Sequence, residues 1–417
     1  MELKLVLLIF FGVSAVLIIL TRKNPVKSLF WFGVLSLFVR ELSMPIIDSI
    51  NLGFFIFTIL VVLVPSILFS KENFKEWRPW FLVLLIGSVN TLLFGQSNEY
   101  FIDQDVIFKA FDWSSKFLVV VFIASSIIHF VKTKEDLNKL LNLFLLSCFI
   151  FSFTAVIAYF GFYDGLVIYG AGSLNDGFIQ DLSRDIIHSE IYGIGSSNLV
   201  FGVSSIGVLF LPYLDWKVWK KYLFLLLIAF SVIISLKRVA ILSLVFSLLY
   251  FFIIEKKKGN HLWLLVIPLI ILLMGTSYYD LIFKRFFGAY GSLTQIAVTD
   301  NSSEIRIDRL NLAWETFLKN PLIGQGAGYL TFIHNGFLEV LGNLGLLGLV
   351  FFKPIVKPLK NIKNYFYNPW AIALIILMIT LITFEAAINR TEIMYFLGLL
   401  YGGFLVSTKL ITNKNNE

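Results

Sequence analysis

The chain has 417 residues, 58% of them hydrophobic and 15% charged, with a formal net charge of +7. Globular chains run at roughly 45–50% apolar and about 25% charged, so this composition excludes an ordinary soluble domain. The apolar residues arrive in blocks of about 20, the length that crosses a hydrocarbon core of about 30 Å, and the chain reads as one transmembrane domain over residues 1–417 with no separate soluble module.

In chain order the expected spans are 3–20, 28–47, 52–69, 79–95, 106–130, 138–161, 194–214, 221–236, 238–254, 261–279, 334–352, 369–388 and 391–408. The fold class is therefore all-α and polytopic, with about 12–13 transmembrane helices. Basic residues orient it, because they recur in alternate connections. The basic set is Arg22/Lys23/Lys27, Lys71/Lys75/Arg78, Lys132/Lys134/Lys139, Lys217/Lys220/Lys221, Lys256–Lys258 and Lys353/Lys357/Lys360/Lys363. Intervening connections such as 98–105 and 164–190 are acidic or neutral. By the positive-inside rule the basic connections are cytoplasmic, the N-terminus external and the C-terminus internal. Charge follows the first apolar run, so residues 3–20 read as an anchor and not a cleaved signal. Orientation accounts for the net charge, and no nucleic-acid partner is called for. Cys148 is the single cysteine and falls mid-span, which excludes intrachain disulfides and multi-cysteine metal sites.

Two external loops exceed what a connection needs: 162–193 and 280–333. The second holds an amphipathic helix, 303–320, with Ser302 or Ser303 at its cap, Glu304 in its first turn, and Pro321 beyond its end. Ile305, Leu310, Ala313 and Phe317 fall near one face, which predicts a helix lying along the membrane surface. Spans 221–236 and 238–254 turn externally at Lys237–Arg238, two cations on the side where positive charge is disfavoured. A bound anion would account for them.

Of four histidines, His129 and His261 sit at cytoplasmic ends of spans, where interfacial roles suffice. His334 opens span 334–352, where the helix dipole disfavours imidazolium and leaves a neutral base. The bland alternative is a cap or an interfacial histidine. Arg184, Arg238, Arg285, Arg306, Arg309 and Arg390 all map to the external side. Each alone reads as a headgroup contact or ion-pair member. Together with one base they point to a diphosphate-bearing lipid, held by Arg238, Arg306, Arg309, Arg285 and Lys237, because guanidinium forks match phosphate oxygens. Gly324, Gly326 and Gly328 permit a tight turn or close backbone approach, and Gly342, Gly345 and Gly348 read as helix-packing positions. Lys109, Asp112 and Lys116 share one polar face of span 106–130, suited to an outward cavity.

The order of these pieces resembles a known family. Lys237-Arg238 opens an apolar helix; Arg306 precedes the amphipathic segment; Pro321 and the three glycines lead to His334-Asn335, Leu338 and Gly345-Leu346-Leu347-Gly348. This is similar to the signature shared by O-antigen ligases and the Wzy-type O-antigen or capsular polysaccharide polymerases. Two departures stand out: lysine replaces the serine of the family's Ser-Arg pair, and Asn343 stands where many relatives carry a carboxylate. The nearby acid, Glu339, is given no catalytic role.

The resemblance implies a GT-C-like glycosyltransferase, independent of metal and cofactor, in the bacterial inner membrane with its site facing the periplasm. Its substrate would be an undecaprenyl-diphosphate-linked oligosaccharide, with Arg238 and Arg306 on the diphosphate and His334 deprotonating the acceptor hydroxyl. Arg184, His188, Tyr192 and Asn335 are candidates for glycan contact, with a solvated loop as the alternative for 162–193. One base and no nucleophilic carboxylate fit a single-step inverting transfer. The leading reading is a polymerase of repeat units, partnered by membrane lipids and a chain-length-regulating co-polymerase. The alternatives are a ligase delivering glycan to lipid A–core, and a transporter or flippase of the same lipids.

Overall fold

The computed structural model describes residues 16, 45–47, 50–51, 71–94, 106–159, 198–234, 238–257, 301–331, 333, 335–383, 388 and 391–414. The expected spans 3–20, 52–69 and 261–279 and the loop 162–193 lie essentially outside these residues. A short antiparallel pair, β1 (Pro45–Ile47) and β2 (Ile50–Asn51), stands where span 28–47 was expected to finish as helix. Pro45 explains the difference, since proline has no N–H to give and pushes the residue before it out of the α region.

The helices follow in order: α1 (Lys71–Phe94), α2 (Val106–Phe130), α3 (Lys134–Tyr159), α4 (Asn198–Ile206), α5 (Val218–Ile234), α6 (Arg238–Lys257), α7 (Asn301–Lys319), α8 (Gly336–Leu344), α9 (Lys353–Lys360), α10 (Ile362–Tyr365), α11 (Pro369–Leu377) and α12 (Thr391–Lys414). A 3₁₀ segment, Gly207–Tyr213, prolongs α4, and another, Gly345–Phe352, joins α8 to α9. The protein is an all-α polytopic membrane protein. Among the described residues, four helices are long and apolar enough to cross a membrane: Lys109–Phe130, Lys134–Phe153, Gly336–Lys360 and Ile393–Ile411. Gly202–Tyr213, Val239–Glu255 and Pro369–Ile382 are shorter apolar helices.

Local signals explain several helix starts. Thr133 and Asp136 form a reciprocal capping box ahead of α3: the Asp136 amide donates to Thr133 Oγ1 at 3.1 Å, and the Thr133 amide donates to Asp136 Oδ2 at 3.3 Å. Asn368 caps α11 through Trp370 N–H, with Pro369 in the first turn.

The core is built on α12 packed along α2. Gly398 and Gly402, four apart on α12, remove side chains where the two backbones approach. A Cβ on Gly398 would lie 2.9 Å from Val120 O, and one on Gly402 would lie 2.9 Å from Ile127 Cβ. This small-residue spacing is the membrane solution for close helices, since apolar burial alone does not distinguish a helix partner from lipid. An aromatic stack of Trp80, Phe117 and Phe351 then ties α1, α2 and the segment after α8.

The polar contacts divide the bundle into two ends. At one end Lys353 Nζ meets Glu76 Oε1 at 2.9 Å, and Tyr401 donates to the same oxygen at 2.9 Å. Tyr250 donates to Phe366 O, and Asn368 donates to Ser407 Oγ. These residues belong to, or adjoin, connections whose basic charge reads as cytoplasmic, so the packing gathers them as that reading requires. Burial opposes ionisation of Glu76, but the hydrogen bonds from Lys353 and Tyr401 outweigh it and hold the carboxyl below its ordinary range.

Two outcomes follow. Gly402→Leu overpacks the α2–α12 contact and lowers stability by about 1–3 kcal/mol, read as a lower Tm of purified protein. Because the folded pKa of Glu76 lies below its unfolded value, its contribution is present above the unfolded pKa and is lost as pH falls through the folded one. Glu76→Gln therefore reduces Tm near neutral pH and narrows its gap to wild type under acid; a gap that stays constant in acid would contradict this assignment.

Candidate functional site

The opposite end is organised by the segment between α7 and α8. The chain leaves α7 at Lys319 and returns through residues 320–331 to the start of α8. Asn335, in extended conformation, is the N-cap of α8, with its Oδ1 accepting the Leu338 amide at 2.9 Å. The helix therefore begins two residues beyond His334, and the capping role considered for that histidine belongs to Asn335.

Two buried polar side chains, four apart on α8, hold the returning segment. Asn343 makes a two-way contact with Leu330: the Leu330 amide donates to Oδ1 at 2.7 Å, and Nδ2 donates to the Leu330 carbonyl at 2.9 Å. Glu339 is fully buried; its Oε1 accepts Trp113 Nε1–H of α2 at 2.8 Å, and its Oε2 accepts the Ile333 amide at 3.2 Å. From α1, Asn90 donates to Gly324 O and Thr91 to Ala327 O. The backbone completes the seat, with Ala327 N–H on Gly87 O at 3.0 Å and Gly326 N–H on Asn343 O at 2.9 Å.

The glycines are required by this closeness. Gly326 has φ of 118°, and a Cβ there would come within 2.7 Å of the Thr91 backbone nitrogen. Gly345 corrects the helix-packing reading of the second glycine group. Its φ of 61° ends α8 and starts the 3₁₀ segment, and a Cβ would lie 2.5 Å from the Leu322 carbonyl carbon. Gly342 likewise faces Leu330 of the returning segment. The glycines at 342 and 345 admit the turn, and span 334–352 is a broken helix for that reason.

On α7, Leu310 and Ala313 pack with Leu330, Ile333 and Leu338. Arg306 shares this stripe at helical spacing, one turn ahead of Leu310, and both Arg306 and Arg309 are half-buried. The face expected to meet the membrane surface thus turns inward against the protein. The large apolar residues of α7 exposed outward are Ile307, Trp314 and Leu318.

Arg238 is the first residue of α6. Ser243 of α6 donates to Gly202 O, a Cβ on Gly202 would touch Leu381, and one on Gly336 would touch Ile382 O. These links bring the starts of α6 and α8 to the same end. The side chain of Arg238, and all of Lys237, Arg184, His188, Tyr192, Arg285, His334 and Arg390, lie outside the described residues. In α2, Lys116 pairs with Asp112 one turn away, so two members of that polar face are mutually compensated.

The scaffold residues Asn90, Thr91 and Trp113 escape a search for charged or basic groups. Their signal is amide, hydroxyl and indole side chains inside apolar spans, where an unsatisfied polar group is costly.

The fold and this end define a multi-pass helical membrane protein in which the end opposite the Glu76–Lys353 pair is built around a glycine-rich turn and an arginine-bearing helix. Residues 223–352, about a third of the chain, match the family model described as O-antigen ligase, so this stretch is similar to that family. The matched stretch starts inside α5 and ends with the 3₁₀ segment after α8, so it takes in Arg238, Arg306, Arg309, the turn and α8. No curated protein matches the chain.

Asn343→Leu removes both contacts to Leu330 and leaves a buried N–H and C=O without partners, each costing about 1–3 kcal/mol. The expected result is a lower Tm, with limited proteolysis opening first between residues 320 and 331; unchanged Tm and cleavage would show that the turn does not depend on Asn343.

Proposed function

We propose that the protein is a glycosyltransferase that polymerises undecaprenyl-diphosphate-linked oligosaccharide repeat units at the outer face of the bacterial inner membrane. The family match supports polymerase- or ligase-type function, and members of the family are glycosyltransferase-like enzymes. The observation that carries the reading is the position of Arg306 and Arg309, half-buried on α7 beside the turn that leads into α8.

In this reading Arg306, Arg309 and Arg238, with Lys237 and Arg285, bind the diphosphate. Charge on that leaving group grows as the anomeric bond breaks, so preplaced guanidinium groups stabilise the transition state more than the ground state. His334 takes the proton of the attacking hydroxyl, two residues ahead of the α8 start, where the helix N-terminus favours neutral imidazole. Arg184, His188 and Tyr192 of the long external loop contact the glycan. Asn335 joins them through its amide nitrogen, since its oxygen serves the cap. The anomeric carbon exchanges its phosphate oxygen for the acceptor oxygen with inversion, and the proton stays on His334. A co-polymerase that sets chain length is the expected protein partner.

The ligase is the second reading, favoured by the description of the matching family itself. Purified protein is given synthetic undecaprenyl-diphosphate repeat units, with and without lipid A–core, and products are resolved by mass. A polymerase makes a ladder without lipid A–core; a ligase transfers only when it is present; neither product, from folded protein, overturns the enzyme reading in favour of transport. His334→Ala is expected to lower the rate about 10²–10⁴-fold, and Arg306→Ala about 10²–10³-fold. NMR of the new linkage is expected to show inversion, and retention would remove the one-base mechanism.

A further inference from the structure

We propose that the turn at Pro321–Ile323 is re-entrant: it lies at membrane depth, with its outer side and the outer stripe of α7 in contact with the acyl chains of the outer leaflet. This does not rest on the catalytic reading.

Two rulers start from the Glu76–Lys353 ion pair at the cytoplasmic end. Along α1, Gly87 lies eleven residues beyond Glu76, about 16–17 Å at about 1.5 Å per residue. Along the 3₁₀ segment, Gly345 lies eight residues before Lys353, about 16 Å at about 2.0 Å per residue. Gly336 is nine residues further out, about 13–14 Å more. The whole distance from Lys353 to Gly336 thus matches a hydrocarbon core of about 30 Å, and Gly345 falls near its middle. The turn sits at this level: Leu346 N–H donates to Pro321 O at 2.8 Å, and Leu347 N–H donates to Leu322 O at 3.3 Å. Gly87 meets Ala327 from the other side.

Irregular backbone survives at such depth only when protein or a water-filled cavity satisfies it. At the turn the Pro321 and Leu322 carbonyls accept from the 3₁₀ segment and the Gly324 N–H donates to Asn320 O, while Asn90, Thr91 and Asn343 serve Gly324, Ala327 and Leu330 further along the returning segment. The turn's outward side chains are apolar. Leu322 is 66% exposed and Leu318 57% exposed, and Ile323 is exposed beside them. They continue into the exposed Leu346, Leu347 and Leu349 of the Gly336–Lys360 span. That continuity identifies the occupant as lipid. The flank of α7 next to this stripe carries Asp308, Glu315 and Lys319, all exposed, so the helix has an apolar side for lipid and a charged side for water.

The test places single nitroxide labels at Leu318→Cys, Leu322→Cys, Ile323→Cys and Glu315→Cys in proteoliposomes; native Cys148 is buried, and wild-type protein taken through the same labelling gives the background to subtract. Collision with oxygen, which concentrates in acyl chains, is compared with collision with a water-soluble nickel chelate. The logarithm of the oxygen-to-nickel ratio is expected to be positive at 318, 322 and 323 and to change sign at 315. A negative value at 322 and 323, matching 315, would overturn the proposal. As a second measurement that needs no substitution, the wild-type protein is photolysed in phosphatidylglycerol vesicles bearing a tail diazirine. Adducts are expected on the 314–323 peptide as well as on 346–349; adducts confined to 346–349 would also overturn it.

Discussion

The half of this protein that carries the glycine-rich turn depends on one constraint: a peptide group that leaves helix geometry inside a membrane protein needs another protein group as its partner. Asn343 meets that constraint for Leu330 by offering an acceptor and a donor from a single side chain, as a neighbouring strand would. Glu339, one turn earlier, accepts the Ile333 amide with one oxygen and the indole N–H of Trp113 with the other. These two residues lock the turn to α8 and α8 to α2. Without them the segment from α7 would have no fixed route to the residues that open α8.

Glycine and polarity divide the work. Gly324, Gly326, Gly328 and Gly345 adopt positive φ and let backbones meet at contact distance, while Asn90, Thr91 and Asn343 saturate the groups so exposed. The cost is a broken helix: α8 gives way to a 3₁₀ segment at Gly345, where Leu322 occupies the space a side chain would need. The break lets α7 and its half-buried arginines pack beside the start of α8. The family match to residues 223–352 covers this same stretch, so the similarity includes the turn and the break in the helix.

The end that carries the Glu76–Lys353 pair is simpler. There Glu76, Lys353 and Tyr401 bring together three segments distant in sequence, with Lys357 half-buried nearby. One end carries the orientation signal and the other the irregular, polar architecture. The two are joined by the glycine-mediated contact of α2 with α12, in which packing distance, not apolar burial, decides the partner.

From the sequence alone, apolar block length determined the all-α polytopic class, because the thickness of lipid acts on composition and not on contacts. Val106–Phe130 appears as read, and the order of Arg306, the glycines and Asn335 was enough to bring the family into view. Tertiary structure alone decided the inward direction of Leu310 and Ala313, the capping role of Asn335, the clamp made by Glu339 and Asn343, and the break at Gly345. Each depends on what lies across from a residue. Periodicity can say that a helix has an apolar face, but only packing decides whether that face meets lipid or protein, since a leucine suits both.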